Sequence, residues 1–389
     1  MTQPAEILNQ LANDGLLRSL RTLDSAPGVT ITRGGRQLLN FPPNDYLGLA
    51  GHPALAAALI DGVRHYGAGA TAPRLVCGSH PPHQQLEKLL AEAKQTEAAL
   101  TFSSGFAVAI GAIPAIVGKG DVIMLDKLSH ACLVDAARLS GATLRVFPHN
   151  DLRKLRRLLA GVRARSAGAR VLVATEAVFS MDGDVCPLRE LVDLTEQHDA
   201  LLWLDEAHAV GVMGGQGMGL AEAEGLQGRI AFQMGTFSKA LGLAGGYLAA
   251  PRGWIDLLVN RARSFIYSTA PPPALAHAVI VAVELVRSAE GLRLRQRLGE
   301  NIRLFRNSLG MDEVRSTPIQ AISLGSNDAA LAASATLEQD GLWVPAIRYP
   351  TVPRGTARLR VSLSAAHPPA AIHRLAAALC PLSPRHPIH

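Results

Sequence analysis

Residues 236–245 read T-F-S-K-A-L-G-L-A-G, and the fold turns on how that stretch is understood. It follows an apolar segment at 230–234 and is dominated by small residues, so Lys239 stands where the chain leaves a buried strand. A buried ammonium is expensive unless it is paired or put to use. Desolvation lowers the pKa of a lysine and frees its amine to form an imine with an aldehyde. Thr236 and Ser238, with the backbone N–H groups around them, can hold a phosphate. A lysine at the rim of an ordinary loop is the competing interpretation.

Upstream, L-D-E-A-H (204–208) ends the apolar run L-L-W-L at 201–204. A carboxylate leaving the carboxyl end of a parallel strand points into the ligand crevice. Together, an imine-forming lysine and a strand-end Asp205 point to pyridoxal 5′-phosphate (PLP). Its ring acts as an electron sink when the ring nitrogen stays protonated, and an adjacent aspartate enforces that state. His208 can reach the phenolic oxygen or the imine region. D-E-x-H alone would equally suit a surface turn or half a metal site, but no companion ligand motif is present. S-S-G-F-A (103–107) is a strand-to-helix turn suited to an anion, because helix N–H groups and the helix dipole face it. K-L-S-H-A (127–131) offers His130 as a ring that can stack on a pyridine, or as a satisfied structural histidine. T-E-A-V-F-S-M-D-G-D (175–184) places Ser180 after another strand. R-Y-P-T-V-P-R-G-T-A-R-L-R (348–360) ends in Arg360 within a strand pattern, where an inward guanidinium suits a carboxylate. The G-A-G-A run at 67–70 lacks the third glycine and preceding strand of a nucleotide fingerprint.

The chain has 389 residues, 48% hydrophobic and 18% charged, the balance of a soluble globular protein with one large and one small domain. No apolar run is long enough to span a bilayer. No basic-then-apolar leader opens the sequence, and the four cysteines are widely spaced, so a reducing, cytoplasmic setting is expected. The net charge is +6, yet aromatics are only 4% and no RNA or DNA module is visible, so no nucleic-acid partner is expected. A basic cluster (Arg153, Lys154, Arg156, Arg157, Arg163, Arg165, Arg170) reads as a solvated helix face or as a patch for an acidic partner.

Apolar spacing predicts a helix over the first 25 residues, from Ile7, Leu8, Leu11, Leu16, Leu17 and Leu20. It also predicts a hairpin over 29–41 turning at Gly34-Gly35. Strands at 121–125, 171–175 and 201–204 alternate with helices at 83–96 and 187–198, which argues for an α/β fold with a mostly parallel sheet flanked by helices. A long helical segment near 273–309, strands at 318–323 and 357–363 and a helix at 368–379 predict a small α+β C-terminal domain. The expected division is 1–45, 46–280 and 281–389.

These motifs resemble the α-oxoamine synthase family, of the fold-type I PLP-dependent transferases, over nearly the whole chain. The segments N-D-Y-L-G-L (44–49), S-S-G-F-A, L-S-H-A, F-S-M-D-G-D, D-E-A-H-A-V-G, T-F-S-K-A and P-T-V-P-x-G-T-A-R-L-R stand in the family's order. The resemblance implies that Lys239 is the Schiff-base lysine, that Asp205 pairs the pyridine nitrogen and that His130 stacks on the ring. It places His208, Ser180, Thr236, Gly105 and Phe106 around the cofactor, and Asn44, His130, Arg360, Arg18 and Thr351 around the substrates. It also implies a homodimer in which F-I-Y-S-T-A-P-P-P (265–273) crosses over, bringing Thr269 to the cofactor phosphate of the neighbouring chain. Within the family the wording is most like the biotin-pathway branch, which implies L-alanine and pimeloyl-CoA or a pimeloyl-acyl carrier protein as substrates. Pro42-Pro43 and the A-T-A-P-R stretch (70–74) depart from the family's usual small polar residues. A sister enzyme condensing glycine or serine with another acyl-CoA remains open, as does a non-catalytic scaffold subunit.

Overall fold

A computed structural model describes residues 3–165, 168–311 and 317–382. In chain order the strands are β1 (Thr30–Arg33), β2 (Arg36–Asn40), β3 (Ala98–Phe102), β4 (Val122–Asp126), β5 (Thr143–Phe147), β6 (Val171–Glu176), β7 (Leu201–Asp205), β8 (Phe232–Thr236), β9 (Gly246–Ala250), β10 (Ile319–Gly325), β11 (Leu342–Trp343), β12 (Ala346–Ile347) and β13 (Ala357–Ser362). Contacts divide the chain into a larger unit, 44–180 with 184–296, and a smaller one, 1–43 with 181–183 and 297–389.

The larger unit is built on one seven-stranded sheet in the order β3-β9-β8-β7-β6-β4-β5. Strands β5, β4, β6, β7 and β8 run parallel, while β9 is antiparallel to both its neighbours. β3, β4, β6, β8 and β9 are buried along their whole length, which is why they read as unbroken apolar runs rather than alternating ones. Edge strand β5 is the exception, with three of its five residues exposed. The helix Gly105–Ile116 is apolar on nearly every side and buries Val108, Ala109, Ala112 and Ile113 in the core. The expected parallel α/β sheet is therefore present. Of the basic cluster, Arg153, Arg156, Arg157 and Arg165 are exposed on the helix Leu152–Arg165. Arg163 is taken up structurally, donating to the carbonyls of His198 at 2.7 Å and Ala169 at 2.8 Å.

Two expectations need correction. The N-terminal helix spans only Pro4–Asn13 and buries none of its residues. Gly15 adopts φ +63°, and Leu16 N–H donates back to Leu11 O at 2.7 Å, closing the helix before Leu17 and Leu20. The segment 273–309 is two helices, Pro273–Arg287 and Ala289–Ser308. Ser288 is extended at ψ 175°, and its Oγ accepts from Glu290 N–H at 3.1 Å and Gly291 N–H at 3.4 Å, capping the second helix. Apolar spacing runs through the break because both helices keep an apolar face.

In the smaller unit β1 and β2 pair as a hairpin with Arg33 opposite Arg36. Gly34 and Gly35 both have positive φ, 55° and 74°, as a type I′ turn requires. β11 extends this sheet, and β10, β13 and β12 form a second one. Among the described residues no helix is long and apolar enough to cross a membrane.

His367 locks part of this unit. Its Nδ1 accepts from Ser364 N–H at 3.0 Å, its Nε2 donates to Asn40 O at 3.1 Å, and its ring stacks on Phe41 at 4.5 Å. Burial pushes its pKa down to about 4, against the smaller raising effect of the Asn40 bond. The unfolded chain, with a histidine pKa of about 6.5, takes up the proton first, so stability falls as pH drops from about 6.5 toward about 4. Chemical denaturation at pH 7 and pH 4.5 should show wild type losing roughly 2–3 kcal/mol more than His367→Gln. Equal losses in the two proteins would show that His367 is not buried neutral.

Candidate active site

The carboxyl ends of β6, β7 and β8 bring the main groups together. Glu176, Asp205 and Met234 are in register across these three strands. Asp205 is 5% exposed and accepts one hydrogen bond, from Ala207 N–H to Oδ1 at 2.9 Å. Burial raises its carboxyl above the usual carboxylate range, and the charge of Lys239 is the largest opposing influence. Glu176, also buried, accepts from His130 N–H at 2.6 Å. Burial, reinforced by the charge of Asp205, pushes Glu176 well above its ordinary pKa.

Lys239 projects from a closed loop after β8. Phe237 N–H donates to Gly245 O at 3.0 Å and Gly242 N–H to Lys239 O at 2.9 Å. Gly242, at φ +70°, approaches so closely that a Cβ would stand 2.5 Å from Ala50 N. Lys239 Nζ lies 2.9 Å from His208 Nε2, and His208 Nδ1 lies 2.6 Å from the Tyr46 hydroxyl, which donates to Asn44 Oδ1 at 3.0 Å. The series is consistent throughout if the amine donates to Nε2 and Nδ1–H donates to Tyr46.

His130 caps the helix Ala131–Ser140. Its Nδ1 accepts Cys132 N–H at 3.2 Å and faces Cys132 Sγ at 3.1 Å. Its outer edge is exposed, yet the protein packed beneath it lowers its pKa, with Lys239 adding to the effect and Asp205 opposing it. A neutral ring whose Nδ1 lone pair is engaged carries its hydrogen on Nε2, toward the open side.

Beside these groups lies an anion seat. Ser104 Oγ accepts Ala107 N–H at 3.0 Å, and the N–H groups of Gly105 and Phe106 make no hydrogen bond among the described residues. Thr236 Oγ1 lies 2.8 Å from Ser238 Oγ and donates to Gly245 O at 2.7 Å. A Cβ on Gly105 would stand 3.6 Å from Thr236 Cβ, so the helix start and Thr236 are in contact. Open N–H groups, a nearly buried carboxylate with a single hydrogen bond among the described residues, and a facing amine fit a phosphorylated pyridine aldehyde.

Ser180 follows a bridge between Val178 and Val185. Thr269 is exposed, and its carbonyl accepts from Ser268 Oγ rather than joining Thr236 or Ser104 of its own chain. Arg74, in the departing A-T-A-P-R stretch, is held by Glu87 at 2.9 and 3.0 Å. In the smaller unit, Arg18 Nη2 donates to Thr351 Oγ1 at 3.2 Å. Both line a cavity of about 600 Å³ with Leu17, Arg21, Leu331 and Ile347. Arg360, 5% exposed on β13, donates to Ser362 Oγ at 2.9 Å. Tyr46, Glu176 and Cys132 were not singled out by the sequence. The strand-end argument applied to Asp205 holds equally for Glu176, and Tyr46 lies inside N-D-Y-L-G-L.

The fold and this site define a fold-type I enzyme, and residues 36–379 match the aminotransferase class I and II family, to which the chain belongs. It is 46% identical to the 8-amino-7-oxononanoate synthase of Trichlorobacter lovleyi over 97% of each chain. It is also 46% identical to that of Geobacter sulfurreducens, over 96% of this chain and 95% of the other. A solved serine palmitoyltransferase from S. paucimobilis, with a bound PLP–myriocin aldimine, superimposes with TM-score 0.90 at 27% identity, covering 97% of this chain and 96% of that one.

Gly246 on β9 sets the anion seat from behind, since a Cβ there would stand 2.7 Å from Gly105 N and 2.9 Å from Ser104 C. Gly246→Ala must displace that backbone and should weaken PLP binding about tenfold, the equivalent of one charge-assisted hydrogen bond. Gly253→Ala, in open space, should leave binding unchanged. Absorbance titration with PLP compares the two, and equal affinities would exclude a role for the Gly105 backbone.

Proposed function

We propose that this chain is a PLP-dependent acyltransferase that condenses L-alanine with a pimeloyl thioester, giving 8-amino-7-oxononanoate, carbon dioxide and free thiol for biotin biosynthesis. The observation that carries this reading is its 46% identity, over nearly the full length of both chains, to enzymes of that name. The site supplies the chemical means.

When bound, PLP supplies a ring that draws electrons from the α-carbon of the amino acid joined to it. Lys239 would anchor the cofactor aldehyde, and its Nζ, when free, would take the α-proton of alanine. His208, 2.9 Å from that nitrogen and backed by Tyr46, holds it in place. Asp205 keeps the ring nitrogen protonated, since its buried carboxylate gains most from a facing cation. The Gly105 and Phe106 N–H groups, with Thr236 and Ser180, hold the phosphate end and rim of the ring. His130 covers the ring and offers Nε2–H to the substrate. Arg360 is assigned to the alanine carboxylate, with Asn44 as a further polar contact. Arg18 and Thr351 are assigned to the acyl substrate, because their cavity pairs apolar Leu17, Leu331 and Ile347 with guanidinium groups, as a long acyl chain ending in a carboxylate requires.

Purified protein with PLP, alanine and pimeloyl-CoA should yield 8-amino-7-oxononanoate by mass. Lys239→Ala should yield none, and borohydride should fix the cofactor to Lys239 alone. Arg360→Ala should raise the alanine requirement and Arg18→Ala the pimeloyl-CoA requirement. Turnover of glycine with acetyl-CoA, and none of alanine with pimeloyl-CoA, would assign the chain to a sister reaction.

We also propose a working homodimer with shared sites. Support comes from Leu75 and Val76, 52% and 76% exposed, and Tyr267, 70% exposed. These lie on two loops joined by Ala270 N–H to Ala72 O at 3.0 Å, and Thr269 stands beside them. Such exposed apolar groups favour a covering partner. Mixing Lys239→Ala chains with impaired Thr269→Ala chains should restore activity, because one site of each hybrid carries both lesions and the other neither. Activity no higher than the mean of the parents would argue against shared sites.

A further inference from the structure

We propose that His149 is a positioning residue: an imidazolium clamped between Asp126 and Asp184 that ties the turn presenting His130 to the hairpin presenting Ser180. The proposal rests on the cofactor roles given to those two residues. His149 Nδ1 lies 2.9 Å from Asp126 Oδ1, and Nε2 meets Asp184 Oδ2. With a carboxylate on each nitrogen, both nitrogens donate and the ring is a cation.

Each carboxylate organises one loop. Asp126, the last residue of β4, has a fully buried side chain and accepts Leu128 N–H and Asn150 N–H, both at 2.8 Å. Its carbonyl accepts Ser129 N–H at 3.1 Å, so Asp126 shapes the turn that ends at His130. Asp184 closes the other side. Its carbonyl accepts Phe179 N–H at 2.9 Å, one residue before Ser180, and Val178 bridges Val185 just below. The His149 ring stands edge-on to Phe179, with centroids 4.4 Å apart and planes at 88°. Asn150, at φ +53°, adopts an unfavourable backbone conformation for a non-glycine residue, which its N–H bond to Asp126 helps to hold.

The charge is needed as well as the hydrogen bonds. Among the described residues Asp184 Oδ1 is buried without a partner, and His149 and Asn150 are the groups that compensate its carboxylate. Remove the cation, and two carboxylates are left facing one gap, one of them wholly buried; repulsion would part the His130 turn from the Ser180 hairpin. Burial alone would lower the His149 pKa, but the bonds to Asp126 and Asp184, the charged groups that face it, raise it to about 10. The folded pKa lies above the unfolded one, so the clamp is complete below about pH 6.5 and lost only as pH rises through about 10.

The test uses the PLP-loaded enzyme, with His149→Gln and His149→Gln/Asp184→Asn as variants. His149→Gln should lower kcat about tenfold or more at pH 8, the scale expected when site groups shift. The double variant, which removes one of the two facing carboxylate charges, should regain part of kcat. A purely structural role would lower activity alike in both variants, and that result would overturn the proposal, as would wild-type kcat in His149→Gln. The apo wild-type protein gives an independent readout: the His149 ring should stay protonated by NMR to beyond pH 8.5. Titration near pH 6.5 would also overturn the clamp, whatever reaction the enzyme catalyses.

Discussion

A carboxylate held at the end of a buried parallel strand sets the terms for the rest of the site. Asp205 is almost closed off from water, with one backbone N–H to offset its charge. A low dielectric makes that charge expensive alone and effective when a cation faces it. The surroundings follow from that constraint. Glu176, its neighbour in register, has its pKa raised by burial and by the charge of Asp205, and accepts a backbone N–H. Lys239 faces Asp205 as the main opposing charge, and His130 stays neutral beside both.

One residue further along, the same economy is handled differently. Glu206 and Lys94 form an ion pair whose side chains are both fully buried. Lys94 Nζ also donates to Met218 O at 2.7 Å, and Glu206 Oε1 accepts Ala221 N–H at 3.0 Å. Breaking such a pair strands a buried charge, whereas intact it neutralises itself. Adjacent buried carboxylates thus differ: Glu206 is paired with Lys94, whereas Asp205 is opposed chiefly by the charge of Lys239.

Much of this was legible before any coordinates. Unbroken apolar runs marked β4, β6 and β7, because strands buried on both faces cannot alternate. Gly34-Gly35 marked the hairpin, because a type I′ turn demands positive φ at both positions. Lys239 and Asp205 stood out because ionisable groups at the ends of apolar strands require an explanation. The failures were equally physical. Periodicity extended the first helix past Gly15 and ran unbroken through Ser288, because it counts apolar residues and ignores the backbone hydrogen bonds that end a helix.

By itself, then, the sequence determined what depends on neighbours along the chain: strand burial, turn type, and which few side chains carry chemistry. The tertiary structure alone decided which distant groups meet. Tyr46, His208 and Lys239 form one series, His149 finds aspartates from two other segments, and Gly246 presses on the helix start at Gly105. Each of these contacts depends on the strand order β3-β9-β8-β7-β6-β4-β5 and on where the intervening loops return. That order is settled by the packing of the whole sheet, so no local stretch of residues encodes it.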